Sequence, residues 1–188
     1  MSGDIGSLAR SVHEALLARE ATVGVAESLT GGAVGAALTA VPGVSATFRG
    51  GVIAYATGLK SDLLGVDGDL LTRVGPVDVT VARQMAQGVR DRLGASYGLA
   101  TTGVAGPDPQ DDRPPGEVHL AVADQDGCTG ISLVLAGDRD QVRAEAVRRA
   151  LQLLLDRATG KPSTDYSVTL LDEALPDRPL SRPTGTVE

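Results

Sequence analysis

Three times in this chain a short apolar run rich in β-branched residues stops at a polar or glycine-bearing exit, with helix-compatible sequence lying between the runs. The first, Ala21-Thr22-Val23-Gly24-Val25-Ala26, reads as a buried strand that empties into Glu27-Ser28-Leu29-Thr30-Gly31-Gly32, and small helix formers from Ala33 to Leu38 follow. The second, Gly50-Gly51-Val52-Ile53-Ala54-Tyr55, exits through Ala56-Thr57-Gly58. Lys60 then opens a short helix marked by Leu59, Leu63 and Leu64 and closed by Gly65. The third, Tyr97-Gly98-Leu99-Ala100-Thr101-Thr102, runs into Gly103-Val104-Ala105-Gly106-Pro107-Asp108-Pro109. Repeated strand-then-helix units leave few packing solutions, because each strand needs both faces covered.

The connecting segments fill in that plan. An amphipathic helix from Gly6 to Glu20 carries Leu8, Val12, Leu16 and Leu17 at helical spacing, with His13 expected in solvent. Val41-Pro42-Gly43 ends the helix after the first strand. Asp67 to Val74 reads as a helical turn or two, and Asp78 as the N-cap of a helix to Leu93 that Gly94 stops. The stretch to Pro114-Pro115-Gly116 is a long loop, and a loop of that length in a compact domain usually has a function. Glu117 to Ala123 alternates as a strand, with His119 read as structural. Asp124-Gln125-Asp126-Gly127 is a hairpin-type turn, and Gly130 to Leu135 returns. Asp138 caps a last helix with Val142, Ala146, Leu151 and Leu154 inward and Arg143, Arg148 and Arg149 outward. The expected fold is therefore a three-layer α/β/α sandwich with a mixed, mostly parallel sheet.

Composition narrows the class further. With no Trp, one Phe and three Tyr, the core has to be built from Val, Leu and Ala, which suits buried strands and covering helices. One cysteine cannot form an internal disulfide, and two histidines cannot assemble a zinc cluster, so no metal or cofactor is expected. No apolar run reaches the ~18–20 residues of a spanning helix, and the first residues lack a secretory pattern, so a cytoplasmic protein is expected. A net charge of −7 with few aromatics argues against nucleic acid or an anionic membrane as the main partner.

In open α/β sheets a ligand sits beyond the carboxyl ends of the parallel strands. Ser28 with Thr30, Tyr55 with Lys60, and Thr101 with Thr102 stand at three such ends. Gathered at one edge, Ser, Lys and Tyr permit nucleophilic catalysis: a desolvated lysine is neutral enough to take a serine proton, and a tyrosine relays the proton or fixes the lysine. The turn Thr30-Gly31-Gly32, opening a helix, offers backbone N–H donors for an anion, and Arg49 is a further candidate. The same residues also suit a plainer account, in which Ser28 or Thr30 is an ordinary N-cap, Lys60 a surface residue and Tyr55 a core-edge residue.

Ala26-Glu27-Ser28-Leu29-Thr30-Gly31-Gly32 resembles the AES-x-TGG motif of the CinA C-terminal domain family. Gly50 to Tyr55 with Lys60, Thr102-Gly103-Val104-Ala105-Gly106-Pro107, Pro115-Gly116-Glu117-Val118 and Gly137-Asp138-Arg139 match further blocks in the family's order, across residues 8 to 158. The resemblance implies deamidation of nicotinamide mononucleotide to nicotinate mononucleotide and ammonia, part of pyridine nucleotide salvage. It implies Ser28 as nucleophile, Lys60 as its base, Tyr55 as partner and Thr102 as a hydrogen-bonding member of the pocket; Thr30, Gly31, Gly32, Thr101 and Gly103 are expected beside them as substrate-binding residues. Leu29 stands where Cys is usual and Asp78 where Ser is usual. The alternatives are a nucleotide-binding or regulatory module with little catalysis, or an amidase for another small amide. A homo-oligomer and a stand-alone form of the domain are expected. Residues 1–160 form the matching domain, and residues 161–188, rich in proline, are expected to be a mobile tail or one docked on a neighbour through Leu170 and Leu171.

Overall fold

The structure, a computed structural model, describes residues 4–161. The expectations for the Pro-rich tail fall on residues 162–188 and lie outside the described residues. Among the described residues, five strands form one sheet in the order β2-β1-β3-β4-β5: β1 (Val23–Glu27), β2 (Phe48–Ile53), β3 (Tyr97–Gly103), β4 (Glu117–Asp124) and β5 (Gly127–Val134). Helices α1 (Ile5–Leu17), α2 (Ala33–Thr39) and α6 (Arg139–Thr159) cover one face. Helices α3 (Thr57–Leu64), α4 (Gly68–Val74) and α5 (Val79–Leu93) cover the other.

The three-layer sandwich is as the sequence suggests, but the sheet is evenly mixed rather than mostly parallel. β1 pairs in parallel with β2 and β3, whereas β4 pairs antiparallel with both β3 and β5. The β4–β5 connection is a tight hairpin at Asp124–Gly127, which reverses the chain without a crossover helix. β4 is the one reversed strand, so β5 again points the same way as β1, β2 and β3.

Two apolar clusters form the core. Val25, Leu99, Leu120 and Val122 meet Leu16 and Leu151 on one side of the sheet. On the other side the sheet presents Ala26, Ala100, Ala121 and Ala123 to Met85, Ala86 and Val89 of α5. Small residues there let α5 come close. A Cβ at Gly98 on β3 would lie 1.9 Å from the Ala86 carbonyl oxygen, and one at Gly88 on α5 would lie 1.8 Å from the Leu64 carbonyl oxygen. The second contact sets the position of α3, which Arg92 also holds by donating to the Leu63 carbonyl at 2.6 Å. Among the described residues, no helix is long and apolar enough to cross a membrane.

Several local expectations shift. Asp78 and Asp138 are N-caps as read, the latter in a full capping box with Gln141. The N-cap of α2 is Gly32, in a left-handed conformation, rather than Ser28 or Thr30. His13 is buried, not in solvent: its Nδ1 pairs with the Thr47 hydroxyl at 2.8 Å beneath the 3-10 turn Val44–Ala46.

Because α3 rests on bare backbone at Gly88, Gly88→Ala is expected to destabilise the protein by about 1–3 kcal/mol through overpacking. Gly58→Ala, on α3 with open space around it, should instead be neutral or stabilising by up to about 1 kcal/mol through helix propensity. Urea unfolding of the two variants side by side checks both signs.

Candidate functional site

β1 ends by turning its last side chains to opposite faces, as strand pleating requires. Glu27 points towards α2. The residue is 2% exposed, and its carboxylate accepts hydrogen bonds from the backbone N–H groups of Gly32, Val34 and Gly35 at 2.9, 3.1 and 2.8 Å. Consecutive left-handed glycines, Gly31 at φ 61° and Gly32 at φ 98°, bend the chain tightly enough to bring those amides back over Glu27. The amides of Gly31 and Ala33 donate to the carbonyls of Ser28 and Thr30. The expected anion cradle at Gly31 and Gly32 is therefore already filled by the protein's own carboxylate.

Ser28 faces the other way, towards α3. Its backbone N–H donates to the Thr101 carbonyl, and Ala54 N–H donates to the Glu27 carbonyl, so the exits of β2 and β3 grip the strand end that carries Ser28 from both sides. Lys60, in the first turn of α3, is 1% exposed. Its Nζ lies 3.1 Å from Ser28 Oγ and 2.8 Å from the Ala54 carbonyl oxygen. No carboxylate stands within ion-pair distance of it among the described residues. Burial alone lowers its pKa from 10.5 to about 8. About a tenth of the molecules then carry a neutral amine at pH 7.

Ser28, Leu29, Tyr55, Lys60, Thr102 and Gly103 line one cavity of about 320 Å³ together with Pro76, Val77, the loop from Val104 to Gln110, and Arg139. That size suits a small molecule. The loop turns through a cis Gly106–Pro107 peptide. Tyr55 stands at the rim, 61% exposed, with its hydroxyl 3.5 Å from Arg139 Nη2 rather than on Lys60. The lysine is fixed by the Ala54 carbonyl instead. Thr102 Oγ1 donates to the Pro76 carbonyl at 2.7 Å, holding the cavity wall beside Ser28.

Other candidates fall elsewhere. The side chains of Thr30 and Thr101 are buried, off the cavity wall, and bond each other through their hydroxyls at 2.8 Å, tying the turn to β3. Arg49 is near the start of β2, at the opposite end of the sheet, where its Nε donates to the Leu93 carbonyl. His119 is buried between Ser132 and Glu117 and does not line the cavity, and burial pushes its pKa down. Among the described residues no group of three or more His, Cys, Asp or Glu side chains is placed to hold a metal ion.

Sequence reasoning missed two arginines of α6. Arg139 donates to the Gly106 carbonyl at 2.8 Å and helps form the rim. Arg143, expected outward, reaches back to the Leu29 and Thr30 carbonyls at 3.2 and 3.0 Å. Their i, i+4 spacing just after the Asp138 cap was the available signal. Arg148 and Arg149 do lie outward, paired with Glu145.

Residues 5–158 match the sequence profile of the CinA C-terminal domain. The chain belongs to that family. A CinA-like protein of Frankia casuarinae is 51% identical over 154 residues, which is 82% of this chain and 36% of the relative. The chain thus spans about a third of the length of the curated relatives it matches. Among solved structures, a competence-damaged protein (CinA) superfamily protein from Klebsiella pneumoniae superposes with a TM-score of 0.81 at 30% identity, covering 84% of this chain and 99% of that one. The competence/damage inducible protein CihA of Agrobacterium tumefaciens gives 0.78 at 36% identity, covering 81% and 94%.

Holding Lys60 charged in this place costs on the order of 3 kcal/mol at neutral pH, from the fall in its pKa from 10.5 to about 8. Lys60→Met is accordingly expected to stabilise the fold at pH 7 by about 1–2 kcal/mol, once the lost partner of the Ala54 carbonyl is subtracted. Below pH 8 the lysine is protonated whether folded or not, and the cost is full. Between about 8 and 10.5 the unfolded chain binds more protons, so the wild type regains stability as pH rises and the gap to the variant closes. Denaturant titrations of both proteins at pH 7 and pH 10 test the sign.

Proposed function

We propose that this CinA-family chain is an amidohydrolase that deamidates nicotinamide mononucleotide to nicotinate mononucleotide and ammonia, using Ser28 as nucleophile and Lys60 as base. The observation that carries this reading is the buried Lys60 amine 3.1 Å from Ser28 Oγ, without an acidic partner among the described residues, on the wall of a small-molecule cavity. A serine needs a base to take its proton, and a lysine becomes one only when its charge is disfavoured. The family resemblance supplies the substrate.

The chemistry balances as two acyl transfers. Neutral Lys60 takes the Ser28 hydroxyl proton while Oγ bonds to the carboxamide carbon and the carbonyl π pair moves to oxygen. The tetrahedral intermediate collapses, the C–N bond breaks, and Lys60 returns the proton to nitrogen, which leaves as ammonia. Water then adds to the ester with its proton passing to Lys60. Expulsion of Ser28 Oγ, reprotonated by Lys60, releases the acid. The exposed Tyr55 ring at the rim suits the face of a cationic pyridinium, whose charge a π system attracts. Arg139 at the same rim supplies the positive charge a phosphate needs, a role the α2 amides, occupied by Glu27, no longer offer.

Purified protein should release ammonia from nicotinamide mononucleotide, and folded Ser28→Ala should lose at least about a thousandfold in kcat. The kcat/KM profile should rise with pH through a single ionisation near the lowered Lys60 value of about 8. Lys60→Arg, unable to accept a proton, should be nearly inactive. Nucleotide binding without ammonia release would leave a binding module, and release from other small amides alone would leave a different amidase.

Arg139→Gln should raise KM for the mononucleotide about tenfold or more with little change in kcat, and should leave the weaker reaction of nicotinamide riboside unchanged. An equal loss on both substrates would place the phosphate elsewhere.

A further inference from the structure

The turn that carries Ser28 is gripped from outside. Arg143, half-buried on the second turn of α6, places Nε on the Leu29 carbonyl and Nη2 on the Thr30 carbonyl. It is not among the residues that line the cavity. Around it nearly every amide of the turn has an acceptor: Ser28, Gly31, Gly32, Ala33, Val34 and Gly35 all donate within the protein. The amides of Leu29 and Thr30 have none among the described residues.

Buried amides are rarely left unpaired, so two in succession beside Ser28 stand out as donors that the fold itself does not use. Leu29 borders the cavity although the residue is only 5% exposed and belongs to the apolar core, and we read its main chain as the part that meets the cavity. A trans peptide sets its N–H opposite its C=O. With the Leu29 carbonyl turned to Arg143, the Thr30 N–H of the same peptide points away from α6. A guanidinium on the carbonyl side also polarises that peptide and strengthens the donor on the far side.

We propose that the Leu29 and Thr30 amides bind the oxyanion formed when Ser28 adds to a carbonyl, and that Arg143 is the positioning residue that aims them. In that step Oγ bonds to the carbonyl carbon, the hydroxyl proton goes to Lys60 Nζ, and the π pair becomes the oxyanion that the two N–H groups receive. This rests on the reading of Ser28 as nucleophile. It does not depend on which amide is the substrate.

Arg143→Lys keeps charge and stem but cannot span two carbonyls, and Arg143→Met keeps only the stem. Both variants and the wild type are assayed for ammonia release from nicotinamide mononucleotide, and for affinity towards phenylboronic acid, whose Ser28 adduct is a tetrahedral anion, and towards nicotinate mononucleotide. The expected result is a fall in kcat of about a hundredfold with KM changed by less than about threefold. Boronate affinity should fall alongside kcat, product affinity should hold, and the pH midpoint of the residual activity should not move, because Lys60 keeps its surroundings. Wild-type boronate affinity and kcat in the Lys variant would overturn the proposal. So would an equal loss of boronate and product affinity, which marks general damage to the pocket. If Met fails to fold, the Lys variant decides alone. If the wild type forms the boronate adduct but releases no ammonia, the substrate reading fails while the boronate comparison still judges Arg143. No adduct at Ser28 in the wild type overturns both.

Discussion

The carboxylate of Glu27 is the contact on which the rest of the candidate site depends. Three amides converge on it, and together they hold the left-handed Gly31-Gly32 bend closed against the end of β1. Charge-assisted hydrogen bonds of this kind are about twice as strong as neutral ones, and they neutralise the positive end of α2 from inside. Glu27 and Ser28 are neighbours on one strand end, so the residue that pins the bend to one face delivers the serine to the other. An acid on the Ser28 face would have paired with Lys60 and held it protonated. The pleat keeps the two charges on opposite sides of the sheet.

Lys60 is the counterpart of that arrangement, a position where local stability is given up. α3 is short, its start has no side-chain cap, and it carries a buried amine that would be better solvated outside. It stays in place through its neighbours: the Gly65 C-cap, the carbonyl contact at Gly88 and the Arg92 bond to Leu63. Sites that break a local rule while the surroundings over-determine them are where function is usually found, because a lysine with a near-neutral pKa is useful only where it is costly.

How much of this could be read in the sequence follows from the range of each interaction. β-branched runs, Asp caps and glycine stops act within a few residues, so the strands, α5, α6 and the Asp78 and Asp138 caps were legible. Side-chain destinations were not. Arg143 bonds residues 113 and 114 positions earlier in the chain, and helical periodicity reports only that it lies off the core stripe. His13 looked solvent-facing because its partner, Thr47, is 34 residues away. Arg49 shares a strand with the run that ends near the site, but it stands at the amino end of β2, and strand direction carries it away. The turn at Ser28 was recognisable as a ligand-facing bend. That its amides already serve Glu27 required knowing which way the glutamate turns.

The mixed character of the sheet explains why α6 bears on the site at all. β3 ends at the carboxyl edge, and an antiparallel β4 must begin there, so the loop between Gly103 and Glu117 is confined to that edge and becomes the cavity wall. The hairpin after β4 returns β5 to the same edge. α6 therefore starts where the parallel strands end, with Arg139 on the rim and Arg143 one turn further along on the turn that carries Ser28. A parallel β4 would have required a crossover from the end of β3 to the opposite edge, and the loop would have become a helix on one face. One reversed strand thus brings a loop wall and two fixed cations to a serine whose own strand, turn and lysine come from the parallel half.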